Sequence, residues 1–149
     1  MDVRYLIVAA KFNDMVTRAL LSGAQDAFQA GGVAPANVDL LWVPGSFELA
    51  PLAAKAARSG KYAAVVCLGA VIRGETPHFD LVAGQTAAGC QKASIDTGVP
   101  IVFGVLTTDT VEQALNRAGL KLGNKGADAA NCAIAMTKAM AQLEELTSR

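Results

Sequence analysis

The stretch "YAAVVCLGAVIRGETPHFD", residues 62–80, decides the fold of this chain. It opens with an apolar run, residues 62–69, in which hydrophobic residues follow one another without clean alternation. The run gives way to a turn that contains Arg73, Gly74 and Pro77, and a helical pattern begins at His78. A short, continuously apolar run of this kind indicates a strand that helices cover on both faces, as in a parallel sheet.

Three more runs of the same type lie on either side of this stretch, and helical patterns separate them. The runs are "VRYLIVAA" (3–10), "VDLLWV" (38–43) and "VPIVFGVL" (99–106). Strands that alternate with helices favour βαβ units around a parallel sheet. We therefore predict a three-layer α/β/α sandwich with a four-stranded parallel sheet, an arrangement of the flavodoxin-like type.

The helical patterns also predict where the helices begin and end. Asp14 is a candidate N-cap of the first helix, and Thr110 with Gln113 has the spacing of a capping box before the fourth. A glycine follows each of the first three helical patterns, at positions 31, 60 and 98. The last helix is predicted over residues 126–146.

The composition suits one compact domain, residues 1–149, because 52% of the residues are hydrophobic. Thirteen basic and thirteen acidic residues cancel and are scattered along the chain. This balance argues against a nucleic-acid partner or a membrane-surface partner. The apolar run near the N-terminus is too short to span a bilayer and has no basic leader, so we expect a cytoplasmic protein.

The cysteines and the single histidine argue against a metal or disulfide framework. Cys67, Cys90 and Cys132 lie far apart in apolar or alanine-rich segments, which is typical of reduced, buried cysteines. One histidine and no C-x-x-C pair supply too few ligands for zinc, so we expect no metal.

In an open parallel sheet, ligands bind beyond the carboxyl ends of the strands. The third of the four turns there carries the most information, because Thr76 and Pro77 read as an N-cap followed by the first helical residue. The amides of Gly74, Glu75 and Thr76 would then be free to bind an anion or a phosphate. His78 beside them could accept and return a proton near pH 7, although a solitary histidine is more often structural.

Three other candidates have two interpretations each. Phe12 after the first strand could stack on a planar ligand or fold back over the first helix. Glu48, which follows Ser46 and Phe47 in "VPGSFE", could be a binding group or a carboxylate in the first turn of a helix. Arg117 could be a phosphate clamp or a solvated cation at a helix end, and sequence spacing alone favours the solvated cation.

The order of these motifs resembles the lumazine synthase family. "FN" after the first strand, "VPGSFE", "GAVIRGETPHFD", "FGVLTT", "NRAG" and "GNKG" occur in the family's order and with closely matching spacing over almost the entire chain. The resemblance implies condensation of 5-amino-6-ribitylamino-pyrimidinedione with 3,4-dihydroxy-2-butanone 4-phosphate, without a cofactor. The product would be 6,7-dimethyl-8-ribityllumazine, a precursor of riboflavin.

The resemblance also implies a role for each matching residue. Phe12 would stack on the pyrimidine, and His78 would be the proton donor and acceptor. A pentamer is implied as well, with its sites at subunit interfaces. The other groups implied are Ser46, Phe47 and Glu48 for the ribityl chain, Ala70, Val71 and Ile72 for the ring, the Glu75 and Thr76 amides for the phosphate, and Phe103, Arg117 and Lys125 from an adjacent subunit.

Two departures from the family pattern bear on these expectations. The chain begins almost at its first core strand, so we expect an N-terminal subunit contact common in the family to be missing or replaced. Pro51 is shifted relative to the family's proline, and we expect only a local adjustment. The segment "GLKLGNKG" resembles members that form icosahedral shells.

Two alternatives to a working synthase remain. One is a module that binds a flavin or ribityl ligand without turnover, and the other is a shell-forming protein with a vestigial site.

Overall fold

The computed structural model of the protein describes residues 2–149 and confirms the predicted three-layer α/β/α sandwich. Four parallel strands lie in the order β2-β1-β3-β4. The strands are β1 (Tyr5–Ala10), β2 (Val38–Val43), β3 (Ala64–Ile72) and β4 (Ile101–Thr108). The helices are α1 (Asp14–Ala30), α2 (Leu49–Arg58), α3 (His78–Thr97), α4 (Val111–Asn116) and α5 (Lys125–Thr147).

Successive residues of the strands point into two separate apolar layers. In β1, Tyr5 and Ile7 pack with α1, α4 and α5, whereas Leu6 and Val8 pack with α2 and α3. Every residue of β1 is buried, as the uninterrupted apolar run requires. No helix among the described residues is long and apolar enough to cross a bilayer.

The last helix lies against the first and covers one face of the sheet. Asn124 caps α5 through its side-chain oxygen, and its Nδ2 donates to the Ala19 carbonyl 3.0 Å away. Gly126 lies directly on the backbone of Leu20, where a Cβ atom would overlap the carbonyl. The absence of a side chain at Gly126 therefore allows α1 and α5 to approach closely.

Several predicted boundaries differ from the structure. Asp14 is the first helical residue and not the N-cap, which is Asn13. The second helix begins at Leu49, after a 3-10 turn over Ser46–Glu48, and ends at Arg58 before Gly60. Pro51 lies in the first turn of α2 and is tolerated there. Thr110 caps α4 as predicted, by accepting from the Gln113 amide at 3.1 Å.

The cysteine prediction is correct for two of the three residues. Cys67 and Cys90 are free and buried between β3 and α3, whereas Cys132 is free but exposed on α5. The alanine-rich surroundings of Cys132 predicted burial, and Ala129, Ala130 and Ala133 are indeed buried in the core, but Cys132 lies with Asn131 on the exposed side of α5.

Candidate active site

The ends of β1 and β3 form the crevice that holds the candidate site. The chain leaves β1 for β2 on one side and then crosses to β3 on the other side, so the connection reverses direction between β1 and β3. Pairing of β3 with β1 ends at Leu68, whereas pairing of β3 with β4 continues to Ile72. The last residues of β3 therefore have an edge that faces the crevice without a strand partner.

A cavity of about 710 Å³ lies at this crevice. Nine of the thirteen residues that the sequence singles out line this cavity. Ten of the thirteen were expected to come from a single chain, and of these ten only Glu75 does not line it. The roles assigned to them stay predictions. The nine are Phe12, Ser46, Phe47, Glu48, Ala70, Val71, Ile72, Thr76 and His78.

Phe12 stands directly after β1 and points away from the interior. Its backbone N–H donates to the Pro44 carbonyl at 3.0 Å, which joins the exit of β1 to the exit of β2. Its side chain is 72% exposed, so the ring does not pack back over α1. An aromatic ring held on a bonded backbone at the cavity is available for stacking.

Asn13 also lines the cavity, and the sequence reasoning missed it as a site residue. It has a left-handed backbone with φ of 61°, and among the described non-glycine residues it is the only one with positive φ. Asparagine tolerates this conformation better than most residues. Its Nδ2 donates to the Ala70 carbonyl at 2.9 Å, so the side chain bridges the crevice from β1 to β3.

Buried contacts with α3 and β3 hold the turn after β2 in place. The Ser46 carbonyl accepts a hydrogen bond from the hydroxyl of Thr86 on α3 at 3.2 Å, and both residues are buried. A Cβ atom on Gly69 would lie 2.6 Å from the Ser46 Oγ, so glycine at position 69 is needed for this approach. Glu48 precedes α2 as its N-cap residue and makes no side-chain capping bond.

The turn after β3 differs by one residue from the prediction. Pro77, not Thr76, is the N-cap of α3, and His78 is the first helical residue. Thr76 still contributes, because its hydroxyl accepts a hydrogen bond from the His78 amide at 3.4 Å. Within residues 2–149, no acceptor lies against the amides of Gly74, Glu75 and Thr76, and this segment is exposed. These amides remain available to an anion.

The remaining candidates do not lie at this cavity. Phe103, Arg117 and Lys125 line a second cavity of about 360 Å³, beside β4 and the start of α5. Over the described chain no residue lines both cavities. Arg117 ends α4, and its Nη1 donates to the Gln113 carbonyl at 3.1 Å. Glu75 is exposed and lines neither cavity.

No cluster of metal ligands accompanies the site. Across residues 2–149, no three His, Cys, Asp or Glu side chains lie close enough together to hold a metal ion. The groups that line the cavity of about 710 Å³ include aromatic rings, backbone amides, one carboxylate and one imidazole.

Together these features define a class of protein: a parallel α/β fold with a cavity for a small molecule at the carboxyl ends of its strands, and with unpaired backbone amides and a histidine beside it. Comparison with known families identifies the member of this class. The model of the 6,7-dimethyl-8-ribityllumazine synthase family matches residues 2–141, and the chain belongs to that family. The family consists of transferases of riboflavin biosynthesis.

Proposed function

We propose that this chain condenses 5-amino-6-ribitylamino-pyrimidinedione with 3,4-dihydroxy-2-butanone 4-phosphate, releasing phosphate and water and forming 6,7-dimethyl-8-ribityllumazine. The observation that supports the proposal most directly is the cavity of about 710 Å³ at the ends of β1 and β3. Its size is that of a small-molecule site, and an aromatic ring, free amides and an imidazole converge on it. Family membership supplies the reaction.

The pyrimidine occupies the crevice between β1 and β3 in this proposal. Phe12 stacks on the ring, and the Ala70–Ile72 backbone meets the ring edge along the side of β3 that β1 leaves unpaired. The Ser46–Glu48 turn holds the ribityl chain through its hydroxyl, backbone and carboxylate groups. The bond from Asn13 to the Ala70 carbonyl keeps the two sides of the crevice in register.

The butanone phosphate binds beside the pyrimidine, at the start of α3. The amides of Glu75 and Thr76 receive the phosphate, because they have no acceptor of their own and lie near the positive end of α3. His78 begins that helix and reaches the same cavity, so its imidazole moves the protons. Schiff-base formation, phosphate elimination and ring closure each need a proton transferred.

Most of the rate acceleration in this proposal comes from holding the two substrates together. An amine and a ketone condense without a catalyst, so the enzyme gains chiefly by turning a bimolecular encounter into a reaction within one complex. His78 adds a smaller factor. Loss of acid–base groups costs about 10²–10⁴-fold in general, and we place His78 at or below the lower end.

The site is completed by a second copy of the chain. Phe103, Arg117 and Lys125 lie on a separate cavity of each subunit, and a head-to-tail ring would bring that surface onto the His78 cavity of the neighbour. Exposed apolar side chains border both surfaces, including Phe47 at 56% and Leu122 at 60% exposure. Such side chains are typical of interfaces. We propose a pentamer, with shells of pentamers as an extension.

The proposal extends to the setting of the enzyme. Residues 1–149 are one lumazine-synthase-like domain, acting in the cytoplasm on small molecules, with copies of itself as partners. The alternatives are a ribityl-ligand-binding module without turnover and a shell-forming protein with a vestigial site.

One assay distinguishes these alternatives. The protein is mixed with both substrates, and lumazine absorbance and free phosphate are followed above the uncatalysed rate. A synthase releases one phosphate for each lumazine formed. A binding module binds ribityl compounds without releasing phosphate, and a vestigial shell protein assembles without accelerating the reaction. Either of these last two results would refute the proposed function.

A further inference from the structure

Arg73 lies immediately after β3 and contacts two other segments at the rim of the sheet. Its backbone N–H donates to the Thr108 carbonyl of β4 at 2.8 Å. Its Nε lies 2.9 Å from an oxygen of Asp109, and its Nη1 lies 3.5 Å from an oxygen of Asp80. The guanidinium carbon also sits 4.3 Å from the centre of the Phe79 ring. One side chain therefore joins the exit of β4 to the first turn of α3.

The segment that Arg73 spans carries the proposed phosphate amides and His78. Residues 74–77, here called the 74–77 loop, are exposed. Within residues 2–149, the hydrogen bonds of the loop run only to the start of α3. The His78 amide donates to the Thr76 hydroxyl, and the Asp80 and Leu81 amides donate to the Pro77 carbonyl. These bonds shape the loop but do not attach it to the sheet. The contacts of Arg73 supply that attachment.

We propose that Arg73 is a positioning residue, which holds the 74–77 loop and His78 at the distance from the sheet that the butanone phosphate requires. The inference rests on the proposed function, because it assigns Arg73 to the phosphate half of that reaction. Arg73 is not among the residues that line the cavity of about 710 Å³.

The chemistry of the contacts suits arginine in particular. A planar guanidinium can lie over the Phe79 ring and still donate to Asp109 and Asp80 from its edge, whereas a lysine ammonium cannot do both. Asp109 is itself anchored, because its backbone amide donates to Gln113 Oε1 at 2.8 Å. The hydrogen bond to Asp109 raises the pKa of Arg73 further, so the guanidinium stays charged under assay conditions.

The expected effect is moderate, since these ion pairs are exposed and exposed pairs are individually weak. In Arg73→Ala, the KM for the butanone phosphate should rise about three- to tenfold and kcat should fall, because an unclamped loop and His78 are less often in place. The KM for the pyrimidine should stay within about twofold, since Phe12 and the end of β3 are untouched. Arg73→Lys should have a KM for the butanone phosphate and a kcat between those of the wild type and those of Arg73→Ala.

Arg18 offers a matched control. It makes the same kinds of contact on α1, with its Nε 3.2 Å from Asp14 and its guanidinium 5.0 Å from the centre of the Trp42 ring. Arg18→Ala should leave both KM values and kcat unchanged. Should Arg73→Ala fail to fold, Asp109→Asn removes the charge that pairs most closely with Arg73 and should raise the same KM by a smaller factor.

A second measurement does not depend on activity. Hydrogen exchange of the full chain, read on a peptide over residues 74–85, should be several times faster in Arg73→Ala and unchanged in Arg18→Ala. A wild-type protein that forms no lumazine refutes the proposed function, while faster exchange in Arg73→Ala would still show that Arg73 holds the 74–77 loop. Unchanged exchange in Arg73→Ala refutes this holding role. An unchanged KM for the butanone phosphate, or an equal rise in both KM values, overturns the positioning role.

Discussion

Two impaired variants should restore each other's activity when they share an oligomer. His78 and Arg117 lie on different cavities of the chain, so the proposed site draws one from each of two neighbouring subunits. His78→Ala removes the proton carrier, and Arg117→Ala removes the phosphate clamp. Each variant alone lacks one group at every interface. In a mixed ring, some interfaces receive the intact His78 of one chain and the intact Arg117 of the next.

The size of the effect follows from counting interfaces. Each variant alone should retain about a tenth to a hundredth of wild-type activity at limiting butanone phosphate, from the usual cost of losing an acid–base group or a charged hydrogen bond. In an equimolar random mixture, about a quarter of the interfaces have both groups intact in a head-to-tail ring. Activity should therefore reach roughly a quarter of the wild-type value, well above the average of the parents.

The experiment unfolds both variants, mixes them and refolds them together, and lumazine absorbance is then followed. Native mass spectrometry confirms that mixed oligomers have formed. Phe12→Ala paired with His78→Ala is the matched control, because both residues line the same cavity of one chain. That pair can produce no intact interface and should show no restoration.

A mixture of the first pair that reaches only the parental average, with mixed oligomers present, would refute the shared site. Arg117 would then have no role beyond the end of α4, where it donates to the Gln113 carbonyl.

Three further results are expected. His78→Ala should lower kcat while calorimetry finds the pyrimidine Kd within about twofold of wild type; a lost pyrimidine affinity would make His78 a binding group. Gly126→Ala should lower the free energy of unfolding in urea by about 1–3 kcal/mol, because its Cβ would overlap the Leu20 carbonyl; an unchanged midpoint would contradict the close contact of α1 with α5. The hydrogen bond from Tyr62 holds the pKa of Asp39 in the folded protein below its ordinary 3.8. The ionised Asp39 therefore stabilises the folded state at pH values above 3.8, and this contribution is lost as the pH falls through the folded pKa. Asp39→Asn should therefore be less stable than wild type at pH 7, with the gap closing in acid; a gap independent of pH would contradict the assignment.

The strands and their order of appearance could be predicted because buried parallel strands have a distinct pattern. Their ends were harder to predict. The apolar run is predicted to end at residue 69, yet Ala70–Ile72 continue β3 because β4 still pairs with them after the pairing with β1 has ended. That difference in length depends on where neighbouring strands end, which a local pattern does not contain.

Part of the candidate site was predictable for a geometric reason. The carboxyl ends of parallel strands meet at one edge, so Phe12, the Ser46–Glu48 turn and His78 were expected together and lie on one cavity. Asn13 was missed because its side chain bonds a carbonyl that is distant in sequence. The contacts of Arg73 were missed for the same reason. The separate position of Arg117 followed only from the family resemblance, since spacing alone does not show which surface a helix end faces.

The contact of α1 with α5 has a consequence for how the protein is made. The ribosome delivers helix α1 before helix α5, which packs against it. Until Asn124 and Gly126 emerge, the face of α1 that α5 covers around Leu20 stays exposed to solvent, although α1 can already pack against β1 and β3. Chains released before residue 125 should therefore collect in the insoluble fraction or be removed by proteases.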